Sequence, residues 1–140
     1  MLELNLIREN PEIVRKSLSD RQMDPAQVDQ VLSLDGERRT LLTEVEKLKA
    51  ERNVVSKEIS QTKDAVARQQ KINAMRKVGD RISAIDEKVK EVDEKLRYLM
   101  LSIPNLPDPT TPYGKDDSEN VVLRTVGELP EFDFKPLAHW

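Results

Sequence analysis

The sequence predicts an all-α protein, a long antiparallel two-helix coiled-coil hairpin with a short N-terminal helix at its base and an irregular, proline-rich C-terminal linker. Three observations carry this prediction. Prolines stand at Pro11 and Pro25 and then not until Pro104, leaving 78 residues without a helix breaker. Within that interval apolar residues recur at alternating spacings of three and four, the pattern of a helix presenting one narrow stripe to a partner. Only five of the 140 residues are aromatic, and four of them lie at or beyond Tyr113. The first three quarters of the chain must therefore pack with aliphatic side chains.

The elements follow in order. Asn10-Pro11 is a helix-start signal for a short helix running from Pro11 to about Leu18. Its Ile13, Val14 and Leu18 are expected to pack with Leu4 and Ile7 against the hairpin base. Asp24-Pro25 repeats the start signal, and Val28, Val31 and Leu32 lead into the first long stripe. That stripe is Leu34, Arg38, Leu41, Val45, Leu48, Arg52, Val55, Ile59, Thr62 and Val66, with Val45, Arg52, Ile59 and Val66 at a positions. A helix from Pro25 to about Ala67 would span roughly 65 Å, more than a globule of this mass needs, so the hairpin must project.

The second stripe is Met75, Val78, Ile82, Ile85, Val89, Val92, Leu96, Leu99 and Ile103, apolar throughout. Heptad phase breaks between the stripes, at Val66 to Ile72, which places the reversal and the hairpin tip at about 66–72. Antiparallel a-to-d packing with a short turn would then set Val55 opposite Ile82 and Leu41 opposite Leu96; a register one heptad longer would move the turn nearer Ile72. After Ile103 the chain becomes irregular through Pro104-Asn105-Leu106-Pro107-Asp108-Pro109. Val121 to Val126 has strand propensity, but one short strand needs neighbours to pair with.

Composition excludes several classes of function. With 35% charged and 37% hydrophobic residues the chain has no uncharged apolar run of membrane-spanning length, and its start lacks the pattern of a signal peptide. It reads as a cytoplasmic protein with no membrane partner. The absence of cysteine removes disulfides, thiolate metal sites and a cysteine nucleophile, and the single histidine, His139, cannot build a multi-histidine metal site. No glycine-rich phosphate loop or nucleophile elbow occurs, and the carboxylates alternate with basic residues on helix faces. No catalytic residue, metal ligand or cofactor is assigned to the chain.

The net charge of -3 conceals an uneven distribution. Ser60 to Arg81 holds Lys63, Arg68, Lys71, Arg76, Lys77 and Arg81 against only Asp64 and Asp80, so this segment is +4 and the remainder -7. A projecting element with a basic end is suited to phosphates, although charge alone leaves a merely solvated surface equally open. No aromatic residue interleaves with these cations. Backbone contact with a folded, double-helical nucleic acid therefore fits better than stacking on unpaired bases. Arg52, amid aliphatic a positions, must extend to solvent or pair with a carboxylate such as Glu51 or Glu87, as a register-fixing polar residue does. Thr62 reads as a tolerated polar residue of the seam. Gly79 marks either close approach of a neighbour or simple tolerance.

The ordered features resemble one family. The opening from Met1 through Leu4, Asn5, Ile7, Arg8 and Pro11 to Arg15 is similar to the N-terminal domain of bacterial-type seryl-tRNA synthetases, which are class II aminoacyl-tRNA synthetases. So are Leu34-Asp35, Glu37-Arg38-Arg39, and Glu51-Arg52-Asn53 with Ser56-Lys57 and Ile59. The most specific string is Ile103-Pro104-Asn105-Leu106-Pro107, then Pro112, Gly114, Asn120, Gly127, Phe132-Asp133-Phe134 and His139-Trp140. The resemblance covers the whole chain. It implies a tRNA-binding helical arm domain over 1–103, with the hairpin at about 25–103, and a linker over 104–140 toward a catalytic domain. It also implies that the arm grips serine tRNA between its long variable arm and the TΨC side, with Lys63, Arg68, Lys71, Arg76, Lys77 and Arg81 as contacts and Arg52 and Lys57 as mid-arm contacts. The parent would be an ATP-dependent, Mg-using serine-tRNA ligase acting as a homodimer through the catalytic domain, whose class II motifs this chain does not contain. On that reading the chain by itself is not an enzyme. The rival reading is a coiled-coil module that binds proteins and no nucleic acid.

Overall fold

The computed structural model describes residues 2–128 and 130–138. It contains four α-helices, α1 (Leu4–Glu9), α2 (Pro11–Asp20), α3 (Ala26–Gln61) and α4 (Ala65–Ser102), followed by one 3-10 turn at Asp117–Glu119. No strand occurs among the described residues. The helices α3 and α4 pack against each other as an antiparallel hairpin, and α1 and α2 sit at its open end. At 36 and 38 residues the long helices extend about 54 and 57 Å.

The expected start signals hold, with one addition. Asp24 caps α3 by accepting the Ala26 N–H on Oδ1 at 2.9 Å, and Pro25 already has helical angles. Pro11 opens α2, although the Asn10 side chain makes no cap bond there. The helix α1, six residues long, had no start signal in the sequence; it ends at Asn10 because the residue before a proline avoids helical angles. Ile7, Val14 and Leu18 are fully buried as expected, whereas Ile13 is half exposed and turned away from the base.

Two apolar clusters hold the hairpin. At the base, Ile7, Val14, Leu18, Val28, Val31, Leu96, Met100 and Ile103 form the larger one, drawing on all four helices. Farther out, Val45, Ile82 and Ile85 are buried, with Leu41, Leu48, Val78 and Val89 packed around them. No residue between Glu46 and Arg81 is fully buried, because each helix there is covered only by the other.

These clusters correct the expected register. Leu41 lies in the outer cluster and Leu96 in the basal one, and Ile82 packs with Val45 and Leu48 instead of Val55. The helices are shifted by one heptad, which shortens the reversal to Thr62-Lys63-Asp64 and leaves 66–72 inside α4. Local hydrogen bonding explains why. Thr62 turns extended and stops α3, its N–H bonding the Glu58 and Ile59 carbonyls and its hydroxyl donating to the Glu58 carbonyl at 2.8 Å. The Asp64 carboxylate then accepts the Val66 and Ala67 N–H groups at 2.8 and 3.4 Å and starts α4. Thr62 is thus a helix stop, and Val66 is 68% exposed on α4, outside the seam.

Ion pairs fasten the basal helices. Asp35, 3% exposed, accepts Arg8 Nε at 2.7 Å on Oδ2 and Arg8 Nη2 at 2.5 Å on Oδ1, tying α1 to α3 through a two-pronged contact. Hydrogen bonding from Arg8 holds the Asp35 carboxyl below its ordinary range, against the opposing effect of burial. Arg15 joins α2 to Asp29 on α3. Beyond Ile103 the chain folds back on α2: the Arg21 guanidinium donates to the Asn105 carbonyl at 3.0 Å, and Lys16 Nζ lies 3.3 Å from the Tyr113 hydroxyl. Val121 to Val126 is exposed and has no ladder partner among the described residues.

Candidate nucleic-acid interface

The outer half of the hairpin is where the cations collect, and the observed register decides which side each takes. With Val45 at position a, α3 carries Arg52 and Ile59 at a and Val55 at d. Ile82 and Ile85, which pack on Val45, take a and d of α4, and the same frame run back toward the tip puts Arg68 at a and Lys71 at d. Beside the a positions run the e and b positions; beside the d positions run g and c. The observed cross-helix ion pairs agree with this division. Lys49 and Asp86, both e, meet at 3.7 Å on one flank, and Glu44 and Arg81, both g, pair on the other.

The six predicted tip cations do not form one patch. Lys63 lies in the turn, and Arg68 and Arg76 follow at the a and b positions of α4, all exposed. Lys71, Lys77 and Arg81 belong to the g/c flank. Lys71 Nζ is held by Glu58 Oε2 at 2.8 Å, and the residue is half-buried across the seam. Arg81 is paired with Glu44. Lys63, Arg68, Arg76 and Lys77 make no ion pair among the described residues.

The mid-arm candidates also separate. Arg52 occupies an a position, which borders the e/b flank, yet is exposed and makes no ion pair with Glu51, Glu87 or any other described residue. Lys57 is exposed on the back of α3, at position f. At Gly79, position e of α4, an added Cβ would meet nothing within 4 Å, which removes close helix approach as the reason for glycine there. The pairs Lys71–Glu58 and Arg81–Glu44 were not read from the sequence. A register error of seven residues moves every cross-helix neighbour by two turns, while leaving the stripes themselves intact.

The exposed cations of the outer arm are suited in charge to phosphates. Among the described residues no group of three or more His, Asp or Glu is placed to hold a metal ion. The grooves are open, as between Ser33, Leu34, Tyr98 and Leu99 at the base. No helix among the described residues is long and apolar enough to cross a membrane. His139 and Trp140 lie outside the described residues.

Comparison with known proteins gives a consistent picture. The family described as Seryl-tRNA synthetase N-terminal domain matches residues 1–107, which take in the entire hairpin. The chain is 50% identical over 140 residues to a serine-tRNA ligase of Roseiflexus sp. (strain RS-1), covering 100% of this chain and 33% of that one. It is 46% identical over 144 aligned residues to the serine-tRNA ligase of Listeria innocua, with the same coverage. Among solved structures, the seryl-tRNA synthetase from Pyrococcus horikoshii complexed with ATP superposes with a TM-score of 0.79 at 36% identity, over 86% of this chain and 28% of that one. The cytoplasmic serine-tRNA ligase of Naegleria fowleri in complex with AMP gives 0.74 at 28% identity, over 91% and 28%. The chain spans about a third of the length of the curated relatives it matches.

Proposed function

The chain belongs to the family of seryl-tRNA synthetase N-terminal domains, and on that premise we propose that its hairpin is the arm that grips serine tRNA, passing between the long variable arm and the TΨC side. Residues 1–103 act as the arm domain, and 104–140 lead to the catalytic domain of a serine-tRNA ligase. Serylation, with its ATP and Mg, belongs to that catalytic domain, as does homodimer formation. The chain alone contributes binding and positioning in the cytoplasm and forms no ester bond.

One observation carries this reading beyond family membership. Arg52, Lys63, Arg68 and Arg76 stand exposed, with no carboxylate partner among the described residues, on the outer part of an arm some 54 Å long. Four unpaired cations there leave a positive surface free to meet a phosphate backbone. No aromatic residue lies at this end, so contact is with backbone and shape, as suits double-helical RNA.

The test is a salt titration of binding between the chain and a fluorescently labelled tRNA with a long variable arm. Neutralising roughly four to six phosphates should give a slope of about -3 to -5 in log affinity against log salt. Binding that is absent at low salt, or independent of salt, would overturn the proposal in favour of a protein-binding coiled coil.

A further inference from the structure

The two flanks of the outer arm differ in a way that the number of cations hides. On the g/c flank the g positions of α3 are Glu44, Glu51 and Glu58, and two of these already hold Arg81 and Lys71. That flank is a run of mixed charge in which Lys71 and Arg81 are engaged in closing the hairpin and Lys77 stands beside the g-position glutamates. Between the turn and the Lys49–Asp86 pair, no e or b position of either helix holds a carboxylate. Arg52, Arg68 and Arg76 stand there with Lys63 at the turn, all exposed and unpaired among the described residues. Between them the e positions are Ser56, Ile72 and Gly79, and open space surrounds Gly79. This strip is therefore the more positive side, along which a polymer backbone can lie without meeting a repelling charge.

We infer that the arm binds RNA along one flank only, the e/b flank marked by Arg52, Arg68 and Arg76, while Lys71, Lys77 and Arg81 face away from the RNA. The inference rests on the tRNA-arm reading and assigns it a side. The glutamates at g repel phosphates and fasten the seam, and this double role keeps the bound RNA on the opposite face. Glycine at position 79 then has a purpose that helix stability does not give it, since it leaves room for the RNA backbone.

Two triple variants of the chain, each losing three positive charges, separate the flanks. Their affinity for a labelled tRNA with a long variable arm is measured across a range of salt, with helicity followed by circular dichroism. Arg52→Gln with Arg68→Gln and Arg76→Gln should weaken binding about tenfold or more and reduce the salt slope by about 2 to 3. Lys71→Gln with Lys77→Gln and Arg81→Gln should change affinity less than about threefold and leave the slope near the parent value. Should either triple variant lose helicity, a second pair decides. Gly79→Glu puts a carboxylate into the strip while favouring the helix, and Ala84→Glu adds the same charge at an exposed c position on the other flank. Gly79→Glu should weaken binding and Ala84→Glu should not. Equal losses from both flanks, or greater loss from the Lys71 set, would overturn the inference while leaving the tRNA-arm reading standing. Failure of the parent chain to bind tRNA at all would remove both.

Discussion

Replacing Asp64 by alanine should destabilise the tip of the arm, and the sign of the effect separates two registers of the same hairpin. Asp64 caps α4 through bonds from the Val66 and Ala67 N–H groups at 2.8 and 3.4 Å. Loss of such a cap costs about 1 kcal/mol, which corresponds to a roughly fivefold faster opening of the first turns. No residue near the turn is fully buried, so opening there is local and need not involve the base. If the reversal instead fell at 66–72, Asp64 would be internal to the first long helix. Alanine would then raise helix propensity and stabilise the segment by up to about 0.7 kcal/mol. Native-state amide hydrogen exchange reads both cases residue by residue. Asp64→Ala should accelerate exchange over Val66 to about Ile72 and leave Val92 to Met100 unchanged. Slower exchange at the tip would refute the three-residue turn and the register built on it.

Other consequences concern the base. Leu18→Ala, at a side chain with no exposure in the basal cluster, should cost about 2–5 kcal/mol in chemical denaturation, whereas Val66→Ala should stay within about 0.5 kcal/mol. Arg8 holds the Asp35 carboxyl below its ordinary value of 3.8, so the unfolded chain binds the extra proton in acid, and the stability gained from this group is present above about pH 4 and lost as pH falls through the lowered value. Asp35→Asn should therefore show a lower melting temperature at neutral pH and a shallower decline below pH 4 than the parent. An identical decline in both would show that the pair is not linked to folding.

Much of the hairpin is legible in the sequence because burial at a two-helix seam has a strict period. The nine-member stripe from Met75 to Ile103 is buried or half-buried at every position, and the Asp24 cap begins the first long helix one residue from where it is read. The turn is misplaced for a chemical reason. Near the tip the seam continues through Lys71 and Arg68, polar residues that a search for apolar positions reads as a break in phase. The signal that could have found the turn is the capping carboxylate of Asp64, two residues after Thr62, which supplies a helix stop of its own. The candidate contacts are legible as a set of charges, but their division between flanks is not. Flank depends on register, and heptad stripes repeat every seven residues without saying which repeat faces which. The helix α1 went unread because six residues hold too little periodicity; its burial comes from tertiary contact at Ile7.

The measurement that bears most directly on the central claim is competition between two tRNAs of matched length of acceptor and anticodon stems, one with a long variable arm and one with a short arm, for binding to this chain. The long variable arm adds phosphates of its own, so it is an advantage that persists as salt screens charge that reports shape recognised by the arm. The account predicts that the long-armed tRNA wins at every salt concentration, and that its advantage narrows little as salt rises while both affinities fall. Equal competition by the two tRNAs would contradict it, leaving a basic coiled coil that attracts any polyanion.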